Sequence, residues 1–159
     1  TDVSRLARRH NVVKRFEEAG ADGFVMFNRL FQPDIDVEAE VKRARYQETD
    51  SRDALLPLRL IALISHQIRA GIAASTGISS GPDMAKMILA GARATQVVGV
   101  LIREKPAYVA TMLTQLNAWM DKHGYKNLEE FRGKLARINP SDPWTFAASQ
   151  YVEGIIGLG

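Results

Sequence analysis

The chain has 159 residues, with 21 Lys+Arg against 18 Asp+Glu for a formal net charge of +3, and is 46% hydrophobic and 25% charged. That composition is globular rather than disordered, and the length suffices for one hydrophobic core, so residues 1–159 are expected to form a single domain. The small net charge gives no footing for nucleic acid, and the absence of cysteine excludes disulfides, thiolate catalysis and thiolate metal sites. Apolar runs fall short of the ~18 residues of a membrane span, and no signal-peptide pattern opens the sequence, so a soluble cytoplasmic protein is expected.

Residues 1–18 have the spacing of an amphipathic helix, with Val3, Leu6, Ala7, Val13 and Phe16 between Arg5, Arg8, Arg9, Lys14 and Arg15. Gly20 stops it, and Asp22-Gly23 turns the chain into Phe24-Val25-Met26-Phe27, an unbroken apolar run that predicts a strand buried on both faces. Residues 29–52 form a polar insert, either an excursion with short strands of its own or a functional loop. Helical spacing returns over 53–68, with Leu56, Leu60, Ile61, Leu63 and Ile64 expected on the inner side.

Gly71-Ile72-Ala73-Ala74-Ser75 is the next strand, and a loop over 76–81 leads to Pro82-Asp83 at the start of a helix that Gly91 ends. Ala94-Thr95-Gln96-Val97-Val98 is the third strand; a short extra helix fits 100–105, and a long one fits 106–123, closed by Gly124. Residues 125–159 are expected to hold looser helices, one capped by Asn127 and Glu130 and one opened by Ser141-Asp142-Pro143, and a glycine-rich tail.

Strands alternating with helices imply parallel βα units joined by crossovers. The chemistry of such folds sits where strands end, and two ends carry glycine: Ser75-Thr76-Gly77 and Val98-Gly99. Glycine admits a phosphate close to the backbone, and peptide N–H groups beyond a strand can donate to it; in (β/α)8 barrels the last two strand ends commonly do so. Tight turns alone would also account for both glycines.

Gly71-Ile72-Ala73-Ala74-Ser75-Thr76-Gly77-Ile78-Ser79-Ser80-Gly81-Pro82-Asp83, then Leu89-Ala90-Gly91-Ala92 and Gln96-Val97-Val98-Gly99-Val100-Leu101, resemble the C-terminal part of dihydroorotate dehydrogenases. Upstream, Glu18-Ala19-Gly20-Ala21-Asp22-Gly23 and Phe27-Asn28-Arg29 extend the match. Gln32-Pro33-Asp34-Ile35-Asp36 and Leu56-Pro57-Leu58-Arg59 are similar to a bacterial dihydroorotate dehydrogenase-like subgroup. The resemblance runs over about residues 13–150 and implies an α/β fold of TIM-barrel type, the C-terminal units of a flavin mononucleotide (FMN) barrel, incomplete with three strands where a barrel has eight.

The resemblance implies a flavin-dependent oxidoreductase of pyrimidine biosynthesis, which removes two hydrogens from dihydroorotate or a related compound, one as hydride to FMN and one as a proton to a base. Thr76-Gly77 matches the family's Gly-Gly, and Val98-Gly99 a Gly followed by Thr or Ser, so both departures cost the phosphate a familiar contact. Ser75, Thr76 and Ser79 are candidate replacements. Asn28 matches the asparagine that contacts the pyrimidine, and Ser51 a residue near the flavin. The family's base and flavin-contacting lysine lie on strands that precede the match. A homo-oligomer or a complementary front-half segment is the expected partner, with no membrane or nucleic acid. The alternative is a non-catalytic half-barrel that binds phosphate or serves oligomerisation.

Other constellations are weaker. His10, His66 and His123 lack metal-ligand spacing, and Asp34 and Asp36 lack the rest of a Ca2+ loop. Met84, Met87, Met112, Met120, Trp119 and Trp144 suit packing.

Overall fold

A computed structural model describes residues 12–28, 33–43 and 49–136. The expected helical residues before 12, His10, Arg29, the helix from Ser141, Trp144 and the tail lie outside the described residues. Helix α1 covers 12–18, ending where Gly20 takes a φ of +101° and donates its N–H to Glu17 O at 2.9 Å. Val13 is buried, but Phe16, expected beside it, is exposed.

Among the described residues three strands form the parallel sheet: β1 (Gly23–Met26), β4 (Gly71–Ala74) and β5 (Ala94–Thr95), in the order β1-β4-β5. Between β1 and β4 the excursion forms its own antiparallel hairpin, β2 (Asp34–Asp36) with β3 (Val41–Arg43). Helices follow as α2 (Leu55–Ile64), α3 (Gly81–Leu89), α4 (Gly99–Glu104) and α5 (Tyr108–His123). The short extra helix thus forms as α4, beginning one residue earlier than its sequence suggests.

One face of the sheet is packed. Ile72 and Ala74 of β4 bury against Ile61 and Ile64 of α2, Met87 of α3 and Met112 of α5 in one continuous core. Burying Ile72 removes apolar area worth about 2–3 kcal/mol. The opposite face differs from expectation: Val25 is 55% exposed, because β1 is the sheet edge and no described layer covers that side. β5 is also shorter than its apolar run. Gln96 N–H still bonds Ala74 O at 2.8 Å, but the chain then leaves the ladder to enter α4.

α2 is out of phase with the expected stripe by one residue at its start. Pro57, Leu60, Ile61 and Ile64 are buried at i, i+3, i+4 and i+7, which leaves Leu56 60% exposed. A 3-10 turn at Ser51–Ala54 sets this phase; Asp50 caps it, and Asp50 and Asp53 bond each other's backbone N–H groups reciprocally.

α3 meets α5 so closely that a Cβ on Gly81 would lie 2.5 Å from Gln115 Cβ and Leu116 N. Gly81 N–H donates to Gln115 Oε1 at 2.8 Å across that contact. A second core, Ala85, Ile88, Leu116, Met120 and Phe131, seals the far end, with Trp119 and Tyr125 against Phe131. Gly124 (φ +73°) and the Asn127-capped turn Leu128–Glu130 bring Phe131 back under α3. Phe131→Ala should cost about 3–5 kcal/mol of unfolding free energy, because its side chain is fully enclosed. Urea denaturation followed by circular dichroism measures it.

Candidate functional site at the strand ends

Parallel pairing places the ends of the three strands on one rim. Met26 is in register with Ala74, and Ala74 with Thr95, so Asn28, Ser75-Thr76-Gly77 and Val97-Val98-Gly99 emerge side by side. The ladder closes with Ser75 N–H donating to Met26 O at 2.8 Å. Beyond it, Thr76 Oγ1 donates to Phe27 O at 2.6 Å, tying the first rim loop to the second.

Past these bonds the backbone donors run free. Among the described residues, the N–H groups of Thr76, Gly77, Ile78, Val97 and Val98 have no backbone acceptor. Ser75 is 8% exposed, and its Oγ is buried without a hydrogen-bond partner. A buried hydroxyl in that state costs about 1–3 kcal/mol unless something bonds it. Two adjacent loops of unspent donors with an orphaned hydroxyl between strand and loop suit an anionic ligand.

Gly77 has a further reason to be glycine. Its φ is +71°, and a Cβ there would lie 2.5 Å from Ala54 N and 2.8 Å from Asp50 O. The turn that contains Ser51 therefore lies directly on the Gly77 loop. Ser51 itself is exposed and joins the rim only through this turn. Thr49, just before it, brings Oγ1 to 3.4 Å from the Cβ position of Gly99. Residues 49–54 thus span both glycine-bearing strand ends. Nothing local in the sequence marks Thr49, a threonine in a polar insert, as a neighbour of a glycine 50 residues on.

The candidate replacement hydroxyls divide. Thr76 spends its proton on Phe27 O, and Ser79 Oγ and Ser80 Oγ donate to Asp83 Oδ2 at 3.2 and 2.8 Å, which leaves Ser75 alone unengaged. Thr76 also has a φ of +79°, which for a β-branched residue costs about 1–2 kcal/mol.

Asp83 is buried, and burial alone would raise its carboxyl. The hydrogen bonds from Ser80 Oγ and Ser79 N–H, with Lys86 Nζ at 3.3 Å, outweigh burial and hold it below the ordinary carboxylate range. A lowered folded-state value means the group stabilises above its unfolded value and loses that stabilisation as pH falls through the folded one. Stability should therefore fall below about pH 4, and Asp83→Asn should flatten that part of the profile. Thermal melting across pH 2–6 checks it. Gly77→Ala should cost about 2–4 kcal/mol through the Asp50–Ala54 contact and the positive φ, whether or not a ligand binds. Urea titration without ligand measures this.

The other rim is structural. Glu17 Oε1 accepts from Arg69 N–H at 2.6 Å and Ala70 N–H at 2.7 Å, beside a cavity of about 420 Å³ lined by Glu17, Glu18, Gly20, Ala21, Asp22, Arg69 and Ala70. Among the described residues no cluster of three His, Asp or Glu has metal-site geometry, and Asp36 pairs with Arg43 at 2.7 Å. No described helix is long and apolar enough to cross a membrane.

No family model matches the chain. Among curated proteins it is 29% identical over 141 residues to the catalytic subunit of dihydroorotate dehydrogenase B (NAD(+)) of Parabacteroides distasonis, over 85% of this chain and 43% of that protein. The same subunit of Bacillus mycoides is 29% identical over 126 residues, 77% of this chain and 40% of that protein. The relatives are dihydroorotate dehydrogenases. The chain spans about two fifths of the length of these curated relatives.

Among solved structures, the dihydroorotate dehydrogenase (DHODH) of Eimeria tenella in complex with ferulenol matches with a TM-score of 0.68 at 20% identity, over 84% of this chain and 36% of that one. The ligand-free form matches at 0.64 and 21%, over 81% and 36%. The likeness to DHODH shows the fold, α/β of TIM-barrel type, with the described residues supplying three parallel strands of it.

Proposed function

We propose that the chain is the flavin-binding part of an oxidoreductase of the dihydroorotate dehydrogenase kind, acting in the cytoplasm on dihydroorotate or a related compound. The observation that carries this reading is the pair of adjacent strand ends with free N–H groups and the orphaned Ser75 hydroxyl. Its direction comes from relatives named dihydroorotate dehydrogenase B.

In this reading Thr76-Gly77 and Val98-Gly99 hold the phosphate of FMN through backbone N–H groups, and Ser75 Oγ adds a donor. Thr49 supplies a hydroxyl beside Gly99, where the Val98-Gly99 pair has none of its own. Ser51, on the turn over Gly77, stands at the edge of the flavin site. Asn28 binds the pyrimidine, since one amide can donate to a carbonyl and accept from a ring N–H. FMN when bound supplies two-electron chemistry; these residues supply position and recognition. A complementary barrel segment, or a second copy of the chain, covers the exposed face at Val25.

A non-redox phosphate-binding module is favoured by one observation, that Thr76 places a side chain where the resembled family has glycine. Flavin binding separates the two. Titrating the chain into FMN should quench flavin fluorescence, and inorganic phosphate should compete. Gly99→Val should weaken FMN at least about tenfold with the melting transition kept, because the nearest atom to a Cβ there is Thr49 Oγ1, a movable side-chain end. Phosphate protection without flavin quenching would select the non-redox reading. Equal FMN affinity of wild type and Gly99→Val would remove this site.

A further inference from the structure

Thr76 combines two features that local structure does not require together. Its φ of +79° belongs to the region that glycine occupies freely and β-branched residues avoid. Its hydroxyl is nevertheless directed at one acceptor, Phe27 O, at 2.6 Å. That carbonyl belongs to the peptide joining Phe27 to Asn28, on an edge strand whose last ladder bond is Ser75 N–H to Met26 O. Among the described residues, no other hydrogen bond holds the Phe27–Asn28 peptide. Asn28 is exposed, so packing does not fix it either.

We infer that Thr76 is a positioning residue: its hydroxyl fixes the Phe27–Asn28 peptide and thereby aims the Asn28 amide over the rim. The inference deepens the proposed function and rests on it for the role of Asn28 in pyrimidine recognition. Strain retained at a position where glycine would relieve it is accounted for by what the side chain holds. A purely structural threonine would make the opposite prediction, since its loss would lower stability and ligand affinity together.

Three variants of the full chain test this. Thr76→Gly relieves the backbone and removes the hydroxyl, Thr76→Val removes the hydroxyl at nearly constant shape, and Thr76→Ser keeps it. Two measurements apply to each: orotate affinity, and the 15N order parameter of the Asn28 backbone amide with the Asn28 side-chain NH2 signals in NMR.

In Thr76→Gly and Thr76→Val, orotate should bind about tenfold more weakly and the Asn28 order parameter should fall. Thr76→Ser should match wild type, and Thr76→Gly should melt no lower than wild type. Wild-type affinity and a wild-type Asn28 order parameter in Thr76→Gly would overturn the inference. So would a Thr76→Gly protein that melts well below wild type, since the hydroxyl would then be supporting the fold at large. If the wild type itself fails to bind orotate, the pyrimidine reading falls. The positioning claim is then decided by the Asn28 order parameters and side-chain NMR signals of the same variants.

Discussion

The in-register parallel pairing of β1 with β4 is the constraint on which the rest of this molecule depends. Four matched pairs, from Gly23 with Gly71 to Met26 with Ala74, leave no freedom in where the next residues emerge. A slip of one residue would turn Ile72 and Ala74 away from the α2 and α3 core, at several kcal/mol of lost burial. The hydrophobic core thus sets the height of each rim loop. Asn28, Ser75 and Gly77 share a level because Ile72 and Ala74 must be inside.

The rim is then closed from above by residues 49–54. Their approach explains Gly77 by contact alone, so that glycine by itself does not argue for a phosphate. What argues for one is what remains among the described residues: N–H groups without backbone acceptors and one buried hydroxyl without a partner. Ser79 and Ser80, which look equally available in sequence, are consumed by Asp83.

Much of the fold was legible in the residues. Gly20, Gly91 and Gly124 end helices with positive φ, Pro82 opens α3, and the short apolar runs at 23–26 and 71–74 are strands. Each of these signals is local, so a sequence can carry it. What failed was relational. The exposed face of Val25 depends on which strands flank β1, and the phase of α2 depends on the turn at Ser51–Ala54 that Asp50 caps. At the site, strand ends were readable from glycine and apolar runs. The bridge of Thr76 to Phe27 and the placement of Thr49 beside Gly99 were not, because they join residues about 50 positions apart.

Glu17 gives the lower rim a different significance. Its carboxylate binds the N–H groups of Arg69 and Ala70, so the end of α1 is fastened to the entrance of β4 independently of any loop above. With the sheet anchored from below, the pairing of β1 with β4 does not run through the hairpin of β2 and β3. Among the described residues that hairpin, with Ile35 and Val37 exposed, forms a sheet separate from β1-β4-β5. The hairpin can lengthen, shorten or be exchanged, whereas residues 49–54 are held to the loops of Gly77 and Gly99. The hairpin is the region of the molecule where evolution, or a protein engineer, has the widest latitude.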